Sequence, residues 1–262
     1  MLALFTLLGA GLFLVLALML ALWIVYLFKR NAGIVDIGWA IGFILCAWAY
    51  LILGYGDPLK KWVITLMVTI WAVRLSWYIY QRYIKNEEED SRYREIRQSW
   101  GGDPTNILFL LMFLLQGVLV IVISLPFLIV SLGSLPGWSN WEIGGCILWF
   151  IGVLGETVAD SQLSTFRNNP ENKGKVCQSG LWRFSRHPNY FFESIVWIGL
   201  FLFAYPAPWG LFAIISPLLM LALLLKVSGI PLAEAQALRT KGDLYRDYQR
   251  TTNIFIPWFP KD

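Results

Sequence analysis

Histidine and cysteine are nearly missing: His187 stands alone, and there are three cysteines in 262 residues. Cys46 and Cys146 fall in apolar runs and Cys177 in a loop, with no CxxC pair and no cluster around the one imidazole, which speaks against a metal site or a disulfide framework. Charge is also scarce. Asp, Glu, Lys and Arg make up 15% of the chain, and a net charge of +4 is too diffuse and too mixed with acids to read as a nucleic-acid surface. No GxGxxG occurs, so a Rossmann-type dinucleotide site is not the route to any cofactor.

What is abundant is apolar surface: 57% hydrophobic residues, 16% aromatic, and a mean hydropathy of +0.59. That is the composition of an integral membrane protein. Leu2 to Phe28 carries neither charge nor proline and exceeds the roughly 20 residues needed to cross about 30 Å of hydrocarbon. Its neighbouring basic pair, Lys29 and Arg30, follows the run, whereas a secretory signal has its basic residues ahead of it. Six further apolar runs cover residues 33–54, 59–84, 106–132, 141–163, 189–204 and 209–227. The expected fold is all-α: one membrane domain over 1–262, a bundle of seven transmembrane helices with a cytoplasmic interfacial segment over 228–262.

The basic residues set the orientation, because Lys and Arg accumulate on the cytoplasmic side. With the N-terminus outside, the cytoplasmic segments hold Lys29 and Arg30, then Arg82 to Arg97, then Arg167 to Arg186, then everything from Lys226 onward. The other side holds only Lys60 and Lys61. The C-terminus is therefore placed in the cytoplasm. The tail alternates charged and apolar residues before turning aromatic and proline-rich, which suits a segment along the membrane surface with Trp258 and Phe259 at headgroup depth.

Ionisable groups inside a membrane are costly and are usually paired or functional. Asp36 opens the second run, Arg74 and Tyr78 lie one turn apart on the third, and Glu156 and Asp160 one turn apart on the fifth. Arg74 is about ten residues, roughly 15 Å, from Ile84 at the inner end of its helix, too deep to snorkel easily. Arg74 and Asp36 either neutralise each other as a structural pair or line a cavity open to the cytoplasm; Glu156 and Asp160 are either a polar seam or part of that cavity.

The loop TFRNNPENKGKVCQSGLWRFSRHPNY sets Arg167, Lys175, Arg186, His187 and Asn189 beside these acids. Positive-inside bias explains the cations but not the amides and carboxylates among them. Cations bind phosphate and carboxylates accept sugar hydroxyls, so the mixture suits an anionic nucleotide cofactor. Pro188 after SRH is a helix start, whose free N–H groups attract an anion.

The segments NAGIVDIGWAIGF, GETVADSQLSTFR, GKVCQSGLWRFSRHPNYFFESIVWIG, KVSGIPLAE and YRDYQRTTN give nearly the whole chain a resemblance to bacterial membrane proteins of unknown function grouped with the steroid 5-alpha-reductases. That resemblance implies a seven-helix bundle, in the bacterial inner membrane, binding NADPH and a lipid or steroid-like enone taken from the bilayer. Carried over motif by motif, it implies cofactor contacts at Glu156, Asp160, Arg167, Lys175, Asn189, Glu193, Lys226 and Glu234; Arg186 and His187, read from the helix start at Pro188, join them at that end. Glu156 stands where better-known reductases have asparagine, and SGIPLAE replaces their histidine-rich tail. Asp36, Tyr78 and Arg74 are the positional candidates for the substrate end, and no metal is implied. The RHPNY segment is shared with membrane methyltransferases resembling isoprenylcysteine carboxyl methyltransferase, so a methyltransferase using S-adenosylmethionine is the alternative.

Overall fold

The computed structural model of the chain describes residues 2–85, 89, 91–101, 106–133 and 135–261, the side chains of Lys85 and Ser91 excepted. Asp262, the end of the expected tail, lies outside the described residues. Helices α1 (Leu2–Lys29), α2 (Ile34–Leu53) and α3 (Pro58–Lys85) follow the first three apolar runs, and a short charged helix, α4 (Ser91–Ser99), follows them unannounced by any apolar pattern. The expected helix over 106–132 is broken into α5 (Ile107–Ile123) and α6 (Leu125–Leu132), bent by 46°. Pro126 has no N–H for the preceding turn. Ser124 Oγ donates back to Ile121 O at 2.8 Å and meets Tyr50 Oη at 3.2 Å, so the break is also bonded in place.

Beyond it come α7 (Asn140–Asn168) and α8 (Pro188–Ala204). The last apolar run starts as a 3-10 turn over Gly210–Ile214 and continues as α9 (Ile215–Ala222) and a π turn over Leu223–Val227. It does not stop at Val227 as expected; α10 (Ile230–Lys241) prolongs it, and α11 (Asp243–Thr251) precedes an irregular C-terminal segment. No strand occurs among the described residues. By length and apolarity α1, α2, α3, α7 and the run Gly210–Lys241 can each cross a membrane, and α5 with α6 makes a sixth if the bent pair is one span. Helix α8 has 17 residues and is shorter than these. The chain is an all-helical integral membrane protein.

Two compact units divide it: Met1–Ile143 with Leu200–Ser216, and Gly144–Gly199 with Pro217–Asp262. The first packs α1, α2, α3, α5 and α6 around Tyr26, Phe43, Tyr50, Trp71, Phe113 and Phe127, all fully buried. Its two outlying lysines are buried as well. Lys60 Nζ reaches Glu142 Oε1 at 2.5 Å and donates to Leu135 O, while Lys61 Nζ donates to Leu51 O and Gly54 O, capping the carbonyl end of α2. Glu142 also accepts from Ser139 N at 2.7 Å, a capping box that starts α7.

In the second unit α7 and α8 run side by side in opposite directions, with backbones in near contact. A Cβ at Gly199 would sit 2.6 Å from Trp149 N, and one at Gly152 would sit 2.7 Å from Val196 N and 2.9 Å from Phe192 O. Small residues at such crossings let helices approach closely in lipid. Gly152→Ala is therefore expected to lower stability by about 1–3 kcal/mol through overpacking. Gly144→Ala, with nothing within 4 Å of its Cβ, is the control. Thermal unfolding in one detergent checks both; equal midpoints would show that the helices part without penalty.

Candidate functional site

The glycine seam ends in polar residues. Glu156 and Asp160 lie one turn apart on α7, and Asn189 and Glu193 one turn apart on the facing part of α8. The three acids are buried, and Asn189 is half-buried. Asn189 Nδ2 donates to Asp160 Oδ1 at 3.3 Å. Its Oδ1 is buried and accepts no hydrogen bond among the described residues, which makes it an acceptor waiting for a donor. Close approach of two backbones has thus put three carboxylates and an amide along one short strip.

The connection from α7 to α8 folds back over this strip. Leu181 N donates to Gln162 Oε1 at 2.9 Å and the buried Trp182 indole donates to Ala159 O at 2.9 Å, tying the 3-10 turn Gly180–Arg183 to α7. Two of the residues just before Pro188 then converge on one carboxylate. Glu234 Oε1 accepts from Arg186 Nε at 2.7 Å and from Tyr245 Oη at 3.3 Å, and lies 3.3 Å from His187 Nε2; its Oε2 accepts from Gln249 Nε2 at 2.9 Å. Arg186 also donates through Nη1 to Thr252 O at 2.6 Å and Gln249 O at 3.2 Å.

Burial pushes the His187 imidazole below its ordinary value, against the opposing pull of Glu234. Its ring stacks on Tyr190, planes within 5°. Burial and the charge of Glu234 push the Tyr245 phenol up, which keeps it a donor. His187 is thus an internal strut at a helix start as well as a neighbour of Asn189.

The cations named from sequence behave differently. Arg167 at the end of α7, Lys175 in the loop and Lys226 in the π turn are exposed. The structure therefore gathers Glu156, Asp160, Asn189 and Glu193 on one seam, gathers Arg186, His187 and Glu234 in one network, and leaves Arg167, Lys175 and Lys226 on the surface of the same unit. Among the described residues no group of three His, Cys, Asp or Glu could hold a metal ion.

Asp36, Arg74 and Tyr78 belong to the other unit. Arg74 and Tyr78 are half-buried, one turn apart on α3. Asp36, in the first turn of α2, takes its counterion from α4: Arg92 Nη2 donates to Oδ2 at 2.8 Å, and the buried Tyr93 hydroxyl donates to Oδ1. Arg92 and Tyr93 escaped sequence reasoning, since α4 is short and highly charged; the one hint was a tyrosine set between arginines. Beside them Arg97 bridges Glu89 at 2.7 Å and the Tyr26 hydroxyl at 2.8 Å, and Tyr26 and Arg30 both donate to Asn106 Oδ1.

The protein family of unknown function DUF1295 matches residues 22–252, and the chain belongs to it. It is similar to an uncharacterized protein of Schizosaccharomyces pombe, 24% identical over 267 residues that cover 90% of this chain and 75% of that one. A stretch of 46 residues, 18% of this chain and 16% of the relative, is 41% identical to the probable O-methyltransferase ustE of Ustilaginoidea virens. No solved structure matches.

Proposed function

We propose that this member of the DUF1295 family is an NADPH-dependent membrane reductase of the steroid 5-alpha-reductase kind, acting on the conjugated carbon–carbon double bond of an enone in a lipid or steroid-like substrate. In this proposal the chain crosses a bacterial inner membrane seven times, α8 being the short span, with its N-terminus outside and its C-terminus in the cytoplasm. The observation that carries the proposal is the strip at the end of the glycine seam. Its buried Asn189 Oδ1 accepts no hydrogen bond among the described residues and stands beside Asp160, Glu156 and Glu193. Such acceptors suit the hydroxyl and amide donors of a nucleotide, and the exposed Arg167, Lys175 and Lys226 suit its phosphates.

NADPH, when bound, supplies the hydride. The rest is work for side chains: as the β carbon is reduced the carbonyl oxygen gains negative charge, and a fixed O–H aimed at that oxygen lowers the barrier. Asp36 accepts hydrogen bonds from Arg92 and Tyr93, so it acts as the orienting acceptor. Tyr93 spends its one hydroxyl proton on Asp36, so the donor to the carbonyl is Tyr78 on α3.

Methylation by S-adenosylmethionine is the second reading. It is favoured by the matched stretch of the O-methyltransferase and by the three seam carboxylates, which would also suit a sulfonium and an ammonium. Thermal unfolding of the purified protein with each cofactor separates the two. A ligand at 100 times its dissociation constant stabilises by about 2.7 kcal/mol. The expected result is a rise with NADPH that Asp160→Ala and Asn189→Ala both abolish while keeping the ligand-free midpoint. Stabilisation by S-adenosylmethionine alone would overturn the reductase assignment.

A further inference from the structure

The C-terminal segment after α11 has two faces with different tasks. Its backbone holds the turn that carries His187: Arg186 N donates to Asn253 O at 2.8 Å, Ser185 Oγ to Phe255 O at 2.8 Å, Trp258 N to Phe184 O at 2.9 Å, and Arg186 Nη1 to Thr252 O at 2.6 Å. Phe255 turns inward, its ring 5.7 Å from that of Phe191. The remaining large side chains turn outward, with Ile254, Ile256, Trp258 and Phe259 exposed by 44%, 62%, 66% and 73%.

Four large apolar groups exposed on so short a stretch need a covering. The spanning helix α7 belongs to the same unit, and Phe255 packs on Phe191 in the first turn of the apolar helix α8. Tryptophan, an apolar ring with one N–H, favours the boundary between hydrocarbon and headgroups. Arg183, next to Phe184, and Lys261, at the other end of the segment, are exposed cations for headgroup phosphates.

We propose that residues 252–261 form a clasp that docks on the phospholipid headgroup layer, and that this docking stiffens the turn Phe184–His187 through the shared backbone hydrogen bonds. A bilayer is required for this; NADPH is not, so the clasp and the reductase assignment stand or fall separately.

Hydrogen–deuterium exchange on the full chain, free of cofactor, tests it in phosphatidylglycerol-containing nanodiscs holding one copy each and in detergent micelles. The amides of Arg186 and Trp258 are expected to exchange about tenfold more slowly in the discs, since docking suppresses local opening. The double variant Ile256→Glu, Trp258→Glu should lose that difference while exchange within α7 and α8 stays as in the parent. Equal exchange in discs and micelles, or a parent-like difference in the double variant, overturns the proposal. Protection that appears only in discs holding two copies would assign the face to a second chain and overturn it too.

Discussion

Glu234→Ala should lower the unfolding free energy by about 3–5 kcal/mol, the usual loss when one partner of a buried ion pair is removed. Arg186 is 8% exposed and its Nε sits 2.7 Å from Glu234 Oε1. Without the carboxylate the guanidinium loses its anion but keeps the Thr252 and Gln249 carbonyls, and His187, Tyr245 and Gln249 lose an acceptor together. Glu234→Gln keeps the shape and one acceptor oxygen, so it should fall between parent and alanine. Chemical denaturation in a mild detergent checks the series. A loss under about 1 kcal/mol for the alanine variant would place the pair among water-screened surface ion pairs, whose contributions are that small.

Tyr78→Phe should cut enone turnover by about a hundredfold, the effect of removing one donor to a developing oxyanion. The ring, half-buried on α3, keeps its packing and only the O–H goes. Affinity for NADPH should stay near the parent value, because none of the cofactor positions proposed above lies on α3. Tyr93→Phe, which removes the hydroxyl donating to Asp36, is measured beside it and is expected to lose less. Normal turnover in Tyr78→Phe would remove that tyrosine from the chemistry.

Much of the scaffold was readable because bilayer thickness imposes long uncharged runs, and α1, α2 and α3 end within a residue or two of their expected limits. The break at Ser124–Pro126 was not read, since the run 106–132 is apolar on both sides of it and one proline can either kink a helix or be absorbed. The prolongation past Val227 escaped because a small polar residue followed by glycine, here Ser228–Gly229, signals an end, whereas the π turn before it keeps the chain bonded, Ser228 N and Gly229 N both donating to Leu223 O. At the site, the i, i+4 spacing of Glu156 with Asp160 and of Asn189 with Glu193 was visible in the sequence. That the two pairs face each other depends on Gly152 and Gly199, which sequence reasoning passed over. The role of Glu234 as the hub of the RHP turn is a contact across 48 residues, and the Asp36–Tyr93 bond spans 57; no local pattern encodes either.

The buried pair of Lys60 with Glu142 has a consequence for biosynthesis. The lysine leaves the ribosome with α3, and its partner follows only with α7, after three more helices have been made. Until then the Lys60 cation has only the Leu135 carbonyl and water to meet, and burying it unpaired is costly. Closure of this end of the N-terminal unit is therefore expected to wait for α7, and a nascent chain stopped before Glu142 is expected to be cut by protease in the Asp57–Lys61 turn more readily than the full chain.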